Sequence, residues 1–167
     1  MHLFFPAVIA LFLIFQPASL IAQGADVAFG GLQHDASQPI EISADQLSID
    51  QSDGSAQFVG NVLIGQGDLR LSAGKVLVQY AASANEATGN ISRLMASGGV
   101  TLTSGSEAAE AESAEYSLET SVITMIGNVI LTQGRNALSA QRMVIDLKTG
   151  RATMAGRVRT IFRTDNN

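Results

Sequence analysis

The sequence predicts an all-β chain built from short, repeated hairpin strands. Three observations carry that expectation. Apolar and polar residues alternate at period two over short runs, with Val76 and Val78 on one face and Lys75 and Leu77 on the other. Turn residues punctuate the runs at Asp53-Gly54, Gly65-Gln66-Gly67-Asp68, 85–90, Ser104-Gly105, Gln133-Gly134-Arg135-Asn136 and Lys148-Thr149-Gly150. Gly and Asn there supply the positive φ of tight hairpins. Two short motifs also alternate strictly along the chain, four copies of each.

Residues 1–22 open with an apolar run, Leu3 to Phe15, followed by Gln16-Pro17 and the small residues Ala18, Ser19 and Ala22. This reads as a signal peptide cut near Ala22, too short for a comfortable membrane span. An uncleaved anchor is the rival reading, and either one carries the domain out of the cytoplasm. Residues 23–38 lack the alternation and read as a flexible N-terminal arm.

The patterned domain covers 39–162. Its first motif is Ser-Ala leading into a strand, at Ser43-Ala44, Ser72-Ala73, Ser113-Ala114 and Ser139-Ala140. The second is Gly-x-Val, at Gly60-Asn61-Val62, Gly98-Gly99-Val100, Gly127-Asn128-Val129 and Gly156-Arg157-Val158. Such strands close as a barrel, pair as a sandwich or stack as an elongated roll, and the similarity of the units favours stacking. One stretch dissents: the Ala and Glu content of Glu107 to Ala111 favours a helix. Residues 163–167 form a short tail.

Composition removes whole classes of function. The 167 residues hold no Cys and two His, one of them in the leader, so disulfides, thiolate chemistry and most His-ligated metal sites are excluded. The net charge of −5 argues against a nucleic-acid partner. His34 stands among glycines without partner ligands, and Glu110, Glu112 and Glu115 lack the spacing of a calcium loop. Asn90-Ile91-Ser92 is a formal glycosylation sequon, with meaning only in a host that glycosylates. No catalytic residue, metal or cofactor is expected.

The opening Pro39-Ile40-Glu41-Ile42-Ser43-Ala44-Asp45, the element Phe58-x-Gly60-Asn61-Val62 and its echo Gly127-Asn128-Val129 resemble the periplasmic lipopolysaccharide-transport bridge proteins of the LptA/OstA type. The resemblance runs over about 39–162 and rests on the alternation of the motifs. It implies a slightly twisted, V-shaped antiparallel β-jellyroll, open on one side, in the periplasm. It implies lipopolysaccharide acyl chains carried inside the roll and copies joined head to tail. It also implies two further partners, an inner-membrane lipopolysaccharide export complex and an outer-membrane lipopolysaccharide assembly protein. Family members often carry a basic C-terminal tail, whereas Arg163 here is followed by Thr164, Asp165, Asn166 and Asn167.

Alternation assigns the inner face, which the resemblance implies is lipid-binding, to Ile42, Leu47, Ile49, Phe58, Val62, Ile64, Leu69, Leu71, Val76, Val78, Leu102, Tyr116, Leu118, Met125, Val129, Leu131, Leu138, Met143, Ile145, Met154 and Val158. The plainer reading of each is ordinary core; the two readings differ in whether the interior is filled or partly open. Ile40 to Ile49 and Val158 to Phe162 are expected to be docking edges. Arg157, Arg159 and Arg163 meet lipid phosphates or guard an edge against aggregation. Charge is graded: 23–69 carries seven acids and no Lys or Arg, whereas 120–167 carries seven bases and two acids. In a stacked roll this makes one end acidic and the other basic, which favours head-to-tail joining. The competing class is a structural or adhesive β-repeat module that binds protein or glycan on its outer surface.

Overall fold

A computed structural model describes residues 25–28, 35, 37–82 and 87–161. The leader, Phe162 and the 163–167 tail lie outside the described residues, and with them His34 and Arg163. Among the described residues, eleven strands form one antiparallel sheet. They are β1 (Ala25–Ala28), β2 (Glu41–Ser43), β3 (Gln46–Ile49), β4 (Ala56–Gln66), β5 (Leu69–Ala82), β6 (Ala87–Ser104), β7 (Glu107–Ser117), β8 (Val122–Gln133), β9 (Asn136–Asp146), β10 (Arg151–Ala155) and β11 (Arg159–Ile161). From β4 to β10 each strand pairs with the next in sequence, so chain order becomes position along the sheet. Short strands finish each end: β2 and β3 both pair with β4, and β10 and β11 both pair with β9.

The two motifs mark a single crease across the sheet. At the motifs, register shifts fall between Val59 and Val62, Ser72 and Lys75, Ser97 and Val100, Glu110 and Ser113, and Ile126 and Val129, and two more lie near the end of β5, between Gln79 and Tyr80 and between Tyr80 and Ala82. At each Gly-x-Val two successive residues take positive φ: Gly60 and Asn61 at 81° and 45°, Gly127 and Asn128 at 87° and 46°. Two left-handed residues in a row re-aim a strand sharply, which is how a bulge bends a sheet. Gly60 is further obliged to lack a Cβ, since that atom would lie 2.5 Å from the Asp45 carboxylate. Asn61 then donates from Nδ2 to Asp45 Oδ2 at 2.8 Å, and Asn128 repeats the contact with Glu112 Oε1 at 2.6 Å.

The residue after each motif alanine therefore sits over the glycine of the facing strand. Asp45 covers Gly60, Glu112 covers Gly127 and Gln141 covers Gly156. This corrects the third Ser-Ala copy: the alanine equivalent to Ala73 and Ala140 is Ala111, not Ala114. Val62 pairs with Ala73, Val100 with Ala111 and Val129 with Ala140, a large-to-small alternation along the crease.

Two further expectations are corrected. Glu107 to Ala111 is strand β7, not helix: Ala109 and Ala111 are buried while Glu110 and Glu112 are exposed, and this alternation within a paired sheet outweighs the helix preference of Ala and Glu. Ala25–Ala28, inside the stretch read as an arm, forms β1 and pairs with β10. Four residues are too few to show a period, and their partner lies over a hundred positions away.

Candidate functional site

Directly paired residues on neighbouring strands share a face, so the register lays the inner face out in rows. On one side of the crease, Ile49, Ala56, Val78, Leu94, Tyr116, Ile123, Ile145 and Ala152 form a row. Leu47, Phe58, Val76, Ala96, Ala114, Met125, Met143 and Met154 form the next. On the other side run Ile42, Ile64, Leu71, Leu102, Ala109, Leu131 and Leu138. The crease folds these two halves of one sheet face to face. Tyr116 Oη donates to Gln66 Oε1 at 3.1 Å, a buried bond from one half to the other.

Most residues assigned to the interior are buried there: Val62, Ile64, Leu69, Leu71, Val76, Val78, Leu102, Tyr116, Met125, Val129, Leu131, Leu138, Met143, Ile145 and Met154. Ile42, Phe58 and Leu118 are partly buried against the same cluster. Three differ. Leu47 and Ile49 are 53% and 66% exposed although their partners Phe58 and Ala56 are covered. They point inward from β3, but no strand lies beyond β3 to cover them. Val158 is 37% exposed, just before the terminal β11.

Sequence reasoning missed Leu94, Val100, Ile123, Leu147 and a set of alanines, Ala56, Ala73, Ala96, Ala109, Ala111, Ala114, Ala140 and Ala152, all buried. The signal was available: period-two extension from Leu102 reaches Val100, and each alanine falls on the inward parity of its strand. Alanine was passed over because only large apolar side chains were counted.

In this conformation the interior is closely packed by its own side chains. A cavity of about 20 Å³ lies between the halves, lined by Ile40, Ile64, Gln66, Leu69 and Leu71 on one side and Leu94, Ala96, Ala114, Tyr116 and Ile123 on the other. That is room for about one water. The sheet itself stays open, with β2 and β3 at one end and β1 and β11 at the other. Apart from Leu69, the far row is polar: Gln66, Ser104, Glu107, Gln133 and Asn136 end the aliphatic interior, and Gln133 Nε2 donates to Glu107 Oε1 at 3.0 Å. Burial holds the Tyr116 phenol above its usual value, so it remains a neutral donor. Among the described residues no group of three or more His, Cys, Asp or Glu could hold a metal ion.

The family model described as LptA/(LptD N-terminal domain) LPS transport protein matches residues 41–151, the creased sheet from β2 into β10. The chain belongs to this LptA/LptD N-terminal family. An uncharacterized protein of Rhizobium meliloti is 36% identical over 111 residues, 65% of this chain and 60% of that relative. The lipopolysaccharide export system protein LptA of Escherichia coli is 38% identical over 61 residues, 36% of this chain and 32% of LptA. The chain thus spans less than two thirds of the length of either relative. The crystal structure of LptH from Pseudomonas aeruginosa, the LptA-homologous periplasmic component of a lipopolysaccharide transport device, superposes with a TM-score of 0.68 at 17% identity. That match covers 78% of this chain and 99% of LptH, and it shows the LptA-type β-jellyroll fold. Among the described residues no helix is long and apolar enough to cross a membrane.

Proposed function

We propose that this protein is a periplasmic, non-enzymatic lipopolysaccharide carrier. Acyl chains lodge between the halves of the creased sheet, and copies join head to tail to link an inner-membrane export complex to an outer-membrane assembly protein. The observation that carries the reading is the continuous aliphatic interior of a sheet whose ends are unpaired, in a chain of the LPS-transport family. Each CH₂ moved from water into such an interior contributes about 0.8 kcal/mol. An interior closed by its own side chains and open at its edges offers that gain only when the halves part. A lipid can therefore be held without being trapped. The terminal strands β2, β3 and β11 lie in the segments expected to dock, and β1 adds an edge that was not foreseen. An adhesive module that stacks sugars has little support: Tyr80 is the one exposed aromatic among the described residues, and strand parity puts it on the face of Val76 and Val78 rather than on the outer one.

The test is a photo-crosslinker at Ile64 or Met143, both buried inside, against one at Gln79, which is exposed on the outer face. Lipopolysaccharide is expected to be labelled from the two inner positions alone. Equal labelling from Gln79, or none from inside, would remove the carrier reading.

A further inference from the structure

The segment Gln38 to Ser43 lies across the mouth of the filled interior. On its inner side Ile40 lines the residual slot together with Tyr116, Gln66 and Leu94. On its outer side is a surface hollow of about 460 Å³, bordered by Gln38, Pro39, Glu41, Gly65, Gly67 and Arg70. Its attachments are few. β2 contributes three register pairs to β4 and has no strand beyond it. Gln66 Nε2 donates to the Gln38 carbonyl at 3.0 Å, and the same Gln66 accepts from Tyr116 at 3.1 Å. Upstream, Ser37 N–H donates to Asp35 Oδ1 at 3.0 Å and Gln38 N–H to the Asp35 carbonyl at 3.1 Å, so a tight turn ends the segment.

We infer that Gln38 to Ser43 is a strap that shuts the acyl slot, and that the relay Tyr116–Gln66–Gln38 is its latch. The inference rests on the carrier reading and adds the step that admits the lipid. The slot has room for about one water, so a chain enters only if something lining it leaves. Most of the lining belongs to long central strands paired on both sides. The strap is paired on one side, ends in a turn and faces an unfilled hollow into which it can swing. The latch matters because the Gln66 amide ties the strap to the half of the sheet that carries Tyr116. When the strap lifts, Gln66 and the Tyr116 hydroxyl are freed for the polar border of the incoming lipid, so no buried group is stranded.

The experiment locks the strap. Glu41 and Gly65 are register partners that face away from the interior, and cross-strand partners have Cβ atoms close enough for a disulfide. At Gly65 the nearest atoms to a Cβ belong to the Arg70 guanidinium, at 3.5 Å, an ordinary contact. The full chain carrying Glu41→Cys and Gly65→Cys is compared oxidised and reduced, with fluorescent lipopolysaccharide as the probe and the unsubstituted chain beside it. The oxidised form is expected to take up lipopolysaccharide at least about tenfold more slowly, with recovery on reduction, because its competent population is removed. The reduced form is the control for folding. Equal uptake by oxidised and reduced forms, with normal binding by the unsubstituted chain, overturns the strap and leaves the carrier reading standing. Absence of uptake by the unsubstituted chain overturns both. Gln66→Leu removes the latch without a disulfide and is expected to speed uptake, whereas unchanged or slower uptake would count against the latch.

Discussion

Gly127 and Asn128 carry the crease, and they carry it differently. A Cβ on Gly127 would lie 2.5 Å from a Glu112 carboxylate oxygen and 2.9 Å from the Glu112 Cβ, at a φ of 87°. Gly127→Ala is expected to cost about 1–3 kcal/mol in urea unfolding through backbone strain and displaced neighbours. Asn128→Gly keeps the left-handed φ and loses one exposed hydrogen bond, so it is expected to cost under about 1 kcal/mol. Gly99 already occupies the equivalent place. Equal costs for the two substitutions would mean that the crease does not depend on backbone geometry. Tyr116 makes a second prediction. Its phenol is raised above 10.0 by burial, so the folded state favours the protonated form. That contribution is complete below pH 10 and is lost as pH rises through the higher folded value. Stability is expected to fall on the alkaline side, and Tyr116→Phe, measured by denaturant midpoint against pH, is expected to flatten that limb. The glycines and valines of the crease were readable as a repeat. The partner of each glycine was not, because Asp45, Glu112 and Gln141, two acids and an amide of different lengths, are united by register alone.

Strand β7 shows why composition alone misleads about an element. Its sequence from Glu107 to Ala111 is that of a good helix former, yet every second residue is buried once β6 and β8 flank it. The small side chains are required there. Ala109 is 0% exposed and pairs with both Leu102 and Leu131, so Ala109→Leu is expected to overpack the interior and cost about 1–3 kcal/mol, read as a lower denaturant midpoint. An unchanged midpoint would show that the halves of the sheet are looser than their burial implies. The exposed pair Arg93–Glu115, at 3.2 Å on adjacent strands, is the opposite case. With both side chains over two-fifths exposed, its removal is expected to matter little. Strands β4, β5, β8 and β9 were legible because large apolar residues alternate in them. β1 was not, since its place depends on β10 and on Asp26 meeting Thr153 Oγ1 at 2.8 Å.

Across the molecule, strand order follows chain order, so the charge gradient of the sequence becomes a gradient in space. The β2–β4 end holds Glu41, Asp45, Asp50, Asp53 and Asp68 with no base before Arg70. The β8–β11 end holds Arg135, Arg142, Lys148, Arg151, Arg157 and Arg159, offset by Asp146 and by Asp26, which β1 brings to within 3.9 Å of Arg151. The proposed head-to-tail self-association is expected to weaken from low to high salt, as sedimentation velocity would show. Salt-independent association would mean that the edges join through backbone pairing alone. The alternation of side chains, the hairpin turns and the repeated crease were written in residues close to one another along the chain. So the all-β architecture and most of the inward faces could be read from order alone. How near the two halves come, whether the space between them is empty, and which segment shuts it depend on residues such as Tyr116, Gln66 and Gln38. These lie tens of positions apart and meet only after the sheet has folded on itself, because local periodicity sets the direction of a side chain but not the distance to the face opposite.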